Sequence, residues 1–463
     1  MYASSLIEAV RCHLGAGGAP VPAARAASLR AVLEERLTDP RDRRGIRHPL
    51  SSLVSVLVAG VACGYDSPLA IAGAAAGWDQ EVLAAHGCRR SPVTGGFEAA
   101  SASTLGRLPA RLDADEFEAA LAAWAAPAAL DPQLPARAAA RRAAEKKEKQ
   151  DKGRRRRKPP AAAALRETRA GGWMRAAPGH PWLDSAVTGD PGHVPARPAV
   201  AVDGKERKLA KAGGKKKVHL LAAVTHLPGL VIGQDKVAKS GKANEVSHFR
   251  PLLEPLPLAG VLVTADAMQT TRDNARFLRA VKDAHFLVPV LGNQPGLYAA
   301  FDALNWENTP VAAATVDTGR GRIETRTIRV LPVPEGLHFP GAEQAILLER
   351  YVTVKKDGKW VMRNCEAVFY ITSLTAGDAT AEDLLAHVRG HWRVEHAHWL
   401  RDVIWKEDKS LIRTGNAPQV WSAITNLVIT LFRIQGVTRY KEETRRNAQN
   451  PRHPLQLLDL SPG

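Results

Sequence analysis

The sequence predicts an α/β protein: a mixed, buried sheet flanked by helices, with a β-rich insertion before the last helices and an all-α domain in front. Three observations predict it. The first ~130 residues are rich in Ala and Leu with helical periodicity. From Pro198 onward, short apolar runs alternate with helical stretches, the pattern of a buried sheet covered by helices. Between residues 305 and 375 the helices vanish and strand-like runs follow one another, separated by turn residues.

In the N-terminal part, residues 26–37 have the spacing of an amphipathic helix, which Asp39-Pro40 and the basic loop Arg41 to Arg47 end. His48 to Cys63 is expected to form a largely buried helix. Ser67 to Ala84 holds a third, with Trp78 as core anchor. Ser101 to Thr104 caps the start of another, and Ala114 to Trp124 reads as a further helix. In the α/β part, Ala199 to Val202 is an apolar run that ends on Asp203. Val218 to Val224 and Leu230 to Val237 are two more strands. Val261 to Ala265 ends on Asp266. Asp273 to Lys282 reads as a helix and Phe286 to Leu291 as a strand. The insertion carries strands over Val311–Val316, Ile323–Leu331, Ala345–Thr353 and Ala367–Ile371. Asp378 to Asp383 offers a helix start, helix runs to about Trp405, and Ala417 to Phe432 is a final amphipathic helix. The expected domains are therefore residues 1–135 (helical), 136–196 (basic, rich in Pro, Ala and Gly), 197–304 (core, first part), 305–372 (β-rich insertion), 373–436 (core, second part) and 437–463 (polar tail).

Charge narrows the function classes. Over 463 residues, 64 Lys and Arg face 47 Asp and Glu, a formal net charge of +17 that favours a polyanionic partner. The excess is local. Residues 137–158 carry twelve bases and three acids, a net +9, and residues 205–217 a net +6, which leaves +2 for the rest. Four cysteines (Cys12, Cys63, Cys88, Cys365) lie far apart with no CxxC spacing, so neither a zinc knuckle nor a redox motif is written here. The longest apolar run, Leu53 to Cys63, is 11 residues, short of a membrane span. No basic region precedes an apolar stretch at the N-terminus, and a cytoplasmic, nucleoid-associated protein is expected.

Two acids, Asp203 and Asp266, each close an apolar run. Strands in one sheet could carry both carboxylates to one edge, where burial is costly unless they are hydrogen-bonded or bound to a cation. Paired carboxylates are hard oxygen ligands of the kind Mg²⁺ or Mn²⁺ takes. On a helix from Arg389 to Asp402, His391, Glu395, His398 and Asp402 fall within about 60° of one another, bordered by Trp392 and Trp399, expected to be buried. His391 and His398 could each ligate zinc, but no Cys or HExxH accompanies them.

Several motifs now occur in order. They are Val202-Asp203-Gly204-Lys205, Lys242-Ala243-Asn244-Glu245, Thr264-Ala265-Asp266-Ala267-Met268, Gly292-Asn293-Gln294-Pro295 and Gly321-Arg322-Ile323-Glu324-Thr325-Arg326. After them come His391-Trp392 through Glu395, His398-Trp399, Asp402 and Glu407-Asp408, then Asn416-Ala417-Pro418. Early in the chain stands Arg44-Gly45-Ile46-Arg47-His48-Pro49-Leu50. With these the sequence resembles insertion-sequence transposases of the DDE class, of the ISAs type with its associated N-terminal domain. The resemblance implies an RNase H-like core and a catalytic, metal-binding triad of Asp203, Asp266 and Glu395 with two Mg²⁺ or Mn²⁺ ions. It implies an enzyme that cleaves DNA at the element's ends and transfers the 3′-OH to target DNA, working as a homodimer on paired ends. An RNase H-like nuclease without strand transfer and a non-catalytic DNA-binding relic are the alternatives. Expected DNA contacts are Lys205, Arg207, Lys208, Lys242, Asn293, Gln294, Arg322, Arg389, His391 and His398.

Overall fold

The structure is a computed structural model, and it describes residues 28–129, 192–212, 216–237, 245–319, 321–357 and 359–458. The basic stretch 137–158 and Lys242 lie outside the described residues. In chain order, the helices α1 (Leu29–Arg36), α2 (Leu50–Ala62), α3 (Pro68–Ala75) and α4 (Gln80–Ala85) come first. A two-residue hairpin of β1 (Arg89–Arg90) and β2 (Phe97–Glu98) follows, then α5 (Ala102–Arg111) and α6 (Ala114–Ala129). Next come β3 (Ala199–Ala212), β4 (Lys216–Thr225), β5 (Val231–Val237), α7 (Glu245–Leu253), β6 (Leu262–Ala265), α8 (Arg272–Arg276), β7 (His285–Val290) and α9 (Pro295–Asp302). The strands β8 (Ala313–Gly319), β9 (Arg322–Pro332), β10 (Gln344–Lys356) and β11 (Lys359–Thr372) are consecutive. Helices α10 (Ala381–Gly390), α11 (Trp392–Ile404), α12 (Ala417–Ile434), α13 (Tyr440–Gln449) and α14 (Arg452–Leu457) complete the chain. Apart from the short β1–β2 hairpin, the regular elements described in the N-terminal part are helices, joined by turns and irregular segments.

Side-chain caps account for several helix starts. The hydroxyls of Ser28, Ser67 and Ser101 and the carboxylate of Asp79 each accept from a first-turn backbone N–H. Thr380 and Asp383 form a reciprocal capping box at α10.

The chain divides into two compact units, each taken by itself. The first gathers the described parts of residues 1–145, 203–257 and 393–463. Its apolar core joins the N-terminal helices to the last ones. Every residue of α2 is buried, and Leu57 and Val58 share a cluster with Trp405, Trp421, Ile424 and Phe432. Polar contacts lock that packing: Trp405 Nε1 donates to the Val61 carbonyl (2.7 Å) and Asn447 Nδ2 to the Ala62 carbonyl (3.0 Å). Trp78 is buried and stacks on His86, ring centroids 5.1 Å apart. The unit's strands run β5-β4-β3, with β4 and β5 antiparallel.

The second unit holds the described parts of residues 146–202 and 258–392. Its strand order is β3 (through Val202), β6, β7, β11, β10, β9, β8. The first three are parallel; from β7 onward every pairing is antiparallel. The β-rich stretch therefore extends one mixed sheet. Helix α10 packs on its β8 and β9 end, burying Leu384, Leu385 and Val388 with Ile328, Ile346 and Leu348.

Two sequence expectations change here. Asp203 does not end its strand, because β3 continues to Ala212 through the basic residues that follow. Nor is Arg389 to Asp402 one helix: α10 stops at Gly390 and α11 starts at Trp392, with His391 at the joint.

Candidate active site

In the second unit, Val202 of β3 stands opposite Ala265 of β6 in a parallel register. The residue after each is one of the predicted acids, Asp203 and Asp266. Asp266 leaves β6 as the first residue of a tight 3₁₀ turn, and its side chain is 55% exposed. His391 reaches toward it: Nδ1 lies 3.1 Å from Thr264 Oγ1, and Nε2 lies 3.7 Å from Asp266 Oδ1. Asn293 Nδ2 donates to the Ala267 carbonyl (2.6 Å) and Gln294 Nε2 to the Thr270 carbonyl (2.8 Å). Both amides, predicted to contact DNA, thus brace the turn that presents Asp266.

Further along the same sheet, Arg389 Nη2 donates to Asp317 Oδ2 (2.9 Å), which also accepts from Arg326 Nη1 (3.0 Å). Glu324, nearly buried, accepts from Arg326 Nη2 and Arg350 Nε, both at 2.5 Å. Burial alone would raise the Glu324 pKa. The Arg350 hydrogen bond and the charges of Arg326, Arg350 and Arg322 outweigh it and hold the carboxyl below its usual range. Arg322 itself is exposed, 3.5 Å from Glu324. Arg326, which the sequence showed only as the last residue of a motif, and Arg350, which belongs to none, hold this cluster together. Only strand register brings Arg350 to Arg326, which it faces directly.

In the first unit, Asp203 and Lys205 lie on one side of β3, because alternate residues of a strand share a face. The Gly204 N–H donates to Asp203 Oδ1 (2.8 Å), and Asp203 Oδ2 lies 3.2 Å from His398 Nδ1 on α11. Both side chains are largely buried. Burial pushes the His398 pKa down; the hydrogen bond to Asp203 opposes that shift without cancelling it. Lys205 Nζ donates to Asp402 Oδ2 (2.6 Å) and lies 3.6 Å from Asp408 Oδ1. The lysine is only 8% exposed, so its charge serves an internal ion pair. A Cβ at Gly204 would fall 2.5 Å from both Glu245 and His219, which themselves pair at 2.6 Å, so a larger residue there would have to displace that pair. His219 is a further residue that sequence reasoning missed; only strand alternation on β4 could have pointed to it.

Helix α11 packs through Val394, Ala397, Leu400 and Arg401. Glu395 is exposed, with His398 and Asp402 beside it at the edge of the buried face. The tryptophans expected to be buried are not: Trp392 is 55% exposed and Trp399 53%. They occupy the side away from the apolar face, where the ring of Trp399 stacks on His396 (centroids 5.7 Å apart). Behind α11, Arg401 makes a two-point ion pair with Glu407, and Ser422 bonds both partners, all three fully buried. The Glu407 of the sequence motif is thus a packing residue.

Arg207 and Lys208 fall within β3, but their side chains lie outside the described set. Among the described residues, no group of three or more His, Cys, Asp or Glu converges as a metal cluster. No described helix is long and apolar enough to cross a membrane.

Comparison with known proteins agrees with the motifs. Residues 33–125 match the DDE_Tnp_1-associated family. The chain is 32% identical over 251 residues to "Putative transposase YncI" of Escherichia coli O157:H7, covering 50% of this chain and 61% of that one. It is 30% identical over 250 residues to "H repeat-associated putative transposase YhhI" of E. coli K12, covering 50% and 63%. The chain thus spans about six tenths of the length of the curated relatives it matches. A cryo-EM structure of the piggyBac transposase synaptic complex with hairpin DNA superimposes at a TM-score of 0.31 and 10% identity, over 56% of this chain and 53% of that one, too loosely to define the fold. The family described as Transposase DDE domain matches residues 195–431, half of the chain, and the chain belongs to the DDE transposase family.

Proposed function

We propose that this protein is the transposase of an insertion sequence. It cuts DNA at the element's ends and joins the freed 3′-OH to target DNA, with Asp203, Asp266 and Glu395 as catalytic carboxylates. The observation that carries this reading is the contact between Asp203 and His398. It sets β3 against α11 within one unit, and Glu395 lies one turn before His398 on that helix. The register pair Val202 and Ala265, each followed by an acid, supports the third member.

The three carboxylates are hard oxygen donors, which fits Mg²⁺ or Mn²⁺. When bound, two such ions would stabilise charge on the attacking and leaving oxygens of an in-line displacement. The chain's own residues would supply the rest. His398 orients Asp203, His391 stands by Asp266, and the Asn293 and Gln294 amides hold the Asp266 turn. In the first step, water attacks phosphorus and the bond to the 3′ oxygen breaks, leaving a 3′-OH and a 5′-phosphate. In the second, that 3′-OH attacks a target phosphodiester, whose own 3′ oxygen departs.

The catalytic part takes the RNase H-like arrangement on this reading, and the N-terminal helices bind the element's ends. The active species is a homodimer on paired ends, working in the cytoplasm at the nucleoid. Arg322 and Arg389, with Arg207, Lys208 and Lys242, are the proposed phosphate contacts. The test is strand transfer. A duplex ending in the inverted repeats that flank the gene, incubated with Mg²⁺ and a target plasmid, should yield a joined product. Cut ends without any joined product would contradict transposition.

A further inference from the structure

We infer that His398 and Lys205 are positioning residues: together they clamp the strand that carries Asp203 to the helix that carries Glu395, and His398 orients the Asp203 carboxylate. The inference rests on the catalytic assignment above and concerns side chains that the triad leaves unexplained.

The geometry is a two-point match. Asp203 and Lys205 are two residues apart on β3, about 6.6 Å along a strand. Their partners His398 and Asp402 are four residues apart on α11, about 6 Å along a helix. The spacings agree, so both contacts form at once, Asp203 to His398 and Lys205 to Asp402. One contact would let the helix slide or pivot; two fix its register. Glu395, three residues before His398, is fixed with it.

The chemistry of each contact favours an internal role over a DNA contact. Lys205 is buried, and a buried ammonium is costly without a carboxylate partner; Asp402 and Asp408 supply it. The Asp203 carboxylate is held on both oxygens, by the Gly204 N–H on one and by His398 on the other, which leaves it a single orientation. The other ring nitrogen of His398, Nε2, is buried and makes no hydrogen bond among the described residues. The Asp203 contact therefore sets how the ring lies. Turning a ring nitrogen toward a phosphate would sacrifice that contact.

The test measures Mn²⁺ binding to the full chain by electron paramagnetic resonance, with DNA affinity and nicking turnover beside it. The variants are His398→Ala, His398→Asn, His398→Gln and Asp203→Asn. An asparagine amide can donate from near the Nδ1 position, whereas the longer glutamine reaches toward that of Nε2. His398→Ala and His398→Gln should weaken Mn²⁺ binding about tenfold and slow turnover, with DNA affinity unchanged. His398→Asn should stay within about threefold of wild type. Should the alanine variant fail to fold, the Asn and Gln pair makes the same comparison. Wild-type Mn²⁺ affinity in His398→Gln, or lost DNA affinity with Mn²⁺ binding intact, overturns the positioning role. If Asp203→Asn loses Mn²⁺ and His398→Gln does not, only the positioning role falls. If Asp203→Asn binds Mn²⁺ like wild type, the catalytic assignment falls and the positioning role with it.

Discussion

Lys205 shows how far a residue's type misleads without its surroundings. A lysine two positions after a proposed catalytic acid in a basic segment reads as a phosphate contact, yet this one is buried against Asp402. The two roles predict different salt behaviour. Removing a true phosphate contact lowers the slope of log K against log salt by about 1. Lys205→Met should leave that slope unchanged and instead cost about 1–3 kcal/mol of stability, because Asp402 loses its partner. A reduced slope with an unchanged melting temperature would restore the DNA contact. His86 gives a second test at this scale. Burial, with a smaller push from Arg30, lowers its pKa to about 3, far below the ~6.5 of an unfolded chain. The unfolded state therefore takes up the proton first. The stability that His86 contributes is complete above about pH 6.5 and is lost as pH falls toward 3. Melting temperatures from pH 7 to 4 should fall more steeply for wild type than for His86→Gln. Parallel curves would contradict a neutral, buried imidazole.

The helix α11 marks the limit of periodicity as a guide. Its polar row was legible, since Glu395, His398 and Asp402 fall together at 3.6 residues per turn. Which neighbouring row faces the core was not legible. Tryptophan is large and amphipathic and so a natural candidate for burial, but the buried face is made by Val394, Ala397, Leu400 and Arg401. Arg401 could fill an apolar face only because Glu407 and Ser422 meet its charge, contacts that no spacing in the sequence announces. Stability separates the two kinds of tryptophan. Trp405→Ala and Trp421→Ala, both in the core, should cost about 3–5 kcal/mol. Trp399→Phe should fall within about 0.5 kcal/mol of wild type in denaturant unfolding. A loss of several kcal/mol at Trp399 would mean that its exposed face packs against something in solution.

For the whole molecule, the alternation of strands and helices was legible because apolar runs and turn residues are local signals. The strands of the β-rich stretch are longer than the apolar runs that mark them. Strand β11 begins at Lys359, eight residues before the apolar run Ala367–Ile371, and the added length pairs with β10, as Glu366 does with Arg350. The compact units were not legible, because contacts far apart in sequence define them: Trp405 bonds the Val61 carbonyl across most of the chain. Charge adds a prediction at this scale. With a net +9 in residues 137–158, deleting them should weaken DNA binding and flatten its salt dependence while the melting temperature holds. An unchanged salt slope would reduce the segment to a spacer. The catalytic assignment itself is tested most directly by Mg²⁺-dependent nicking of a duplex that carries the flanking inverted repeats, comparing wild type with Asp203→Asn, Asp266→Asn and Glu395→Gln while DNA binding is followed in parallel. Each substitution should lower nicking by about a thousandfold or more with DNA binding retained. Undiminished nicking in any one of the three would contradict that residue's place in the triad.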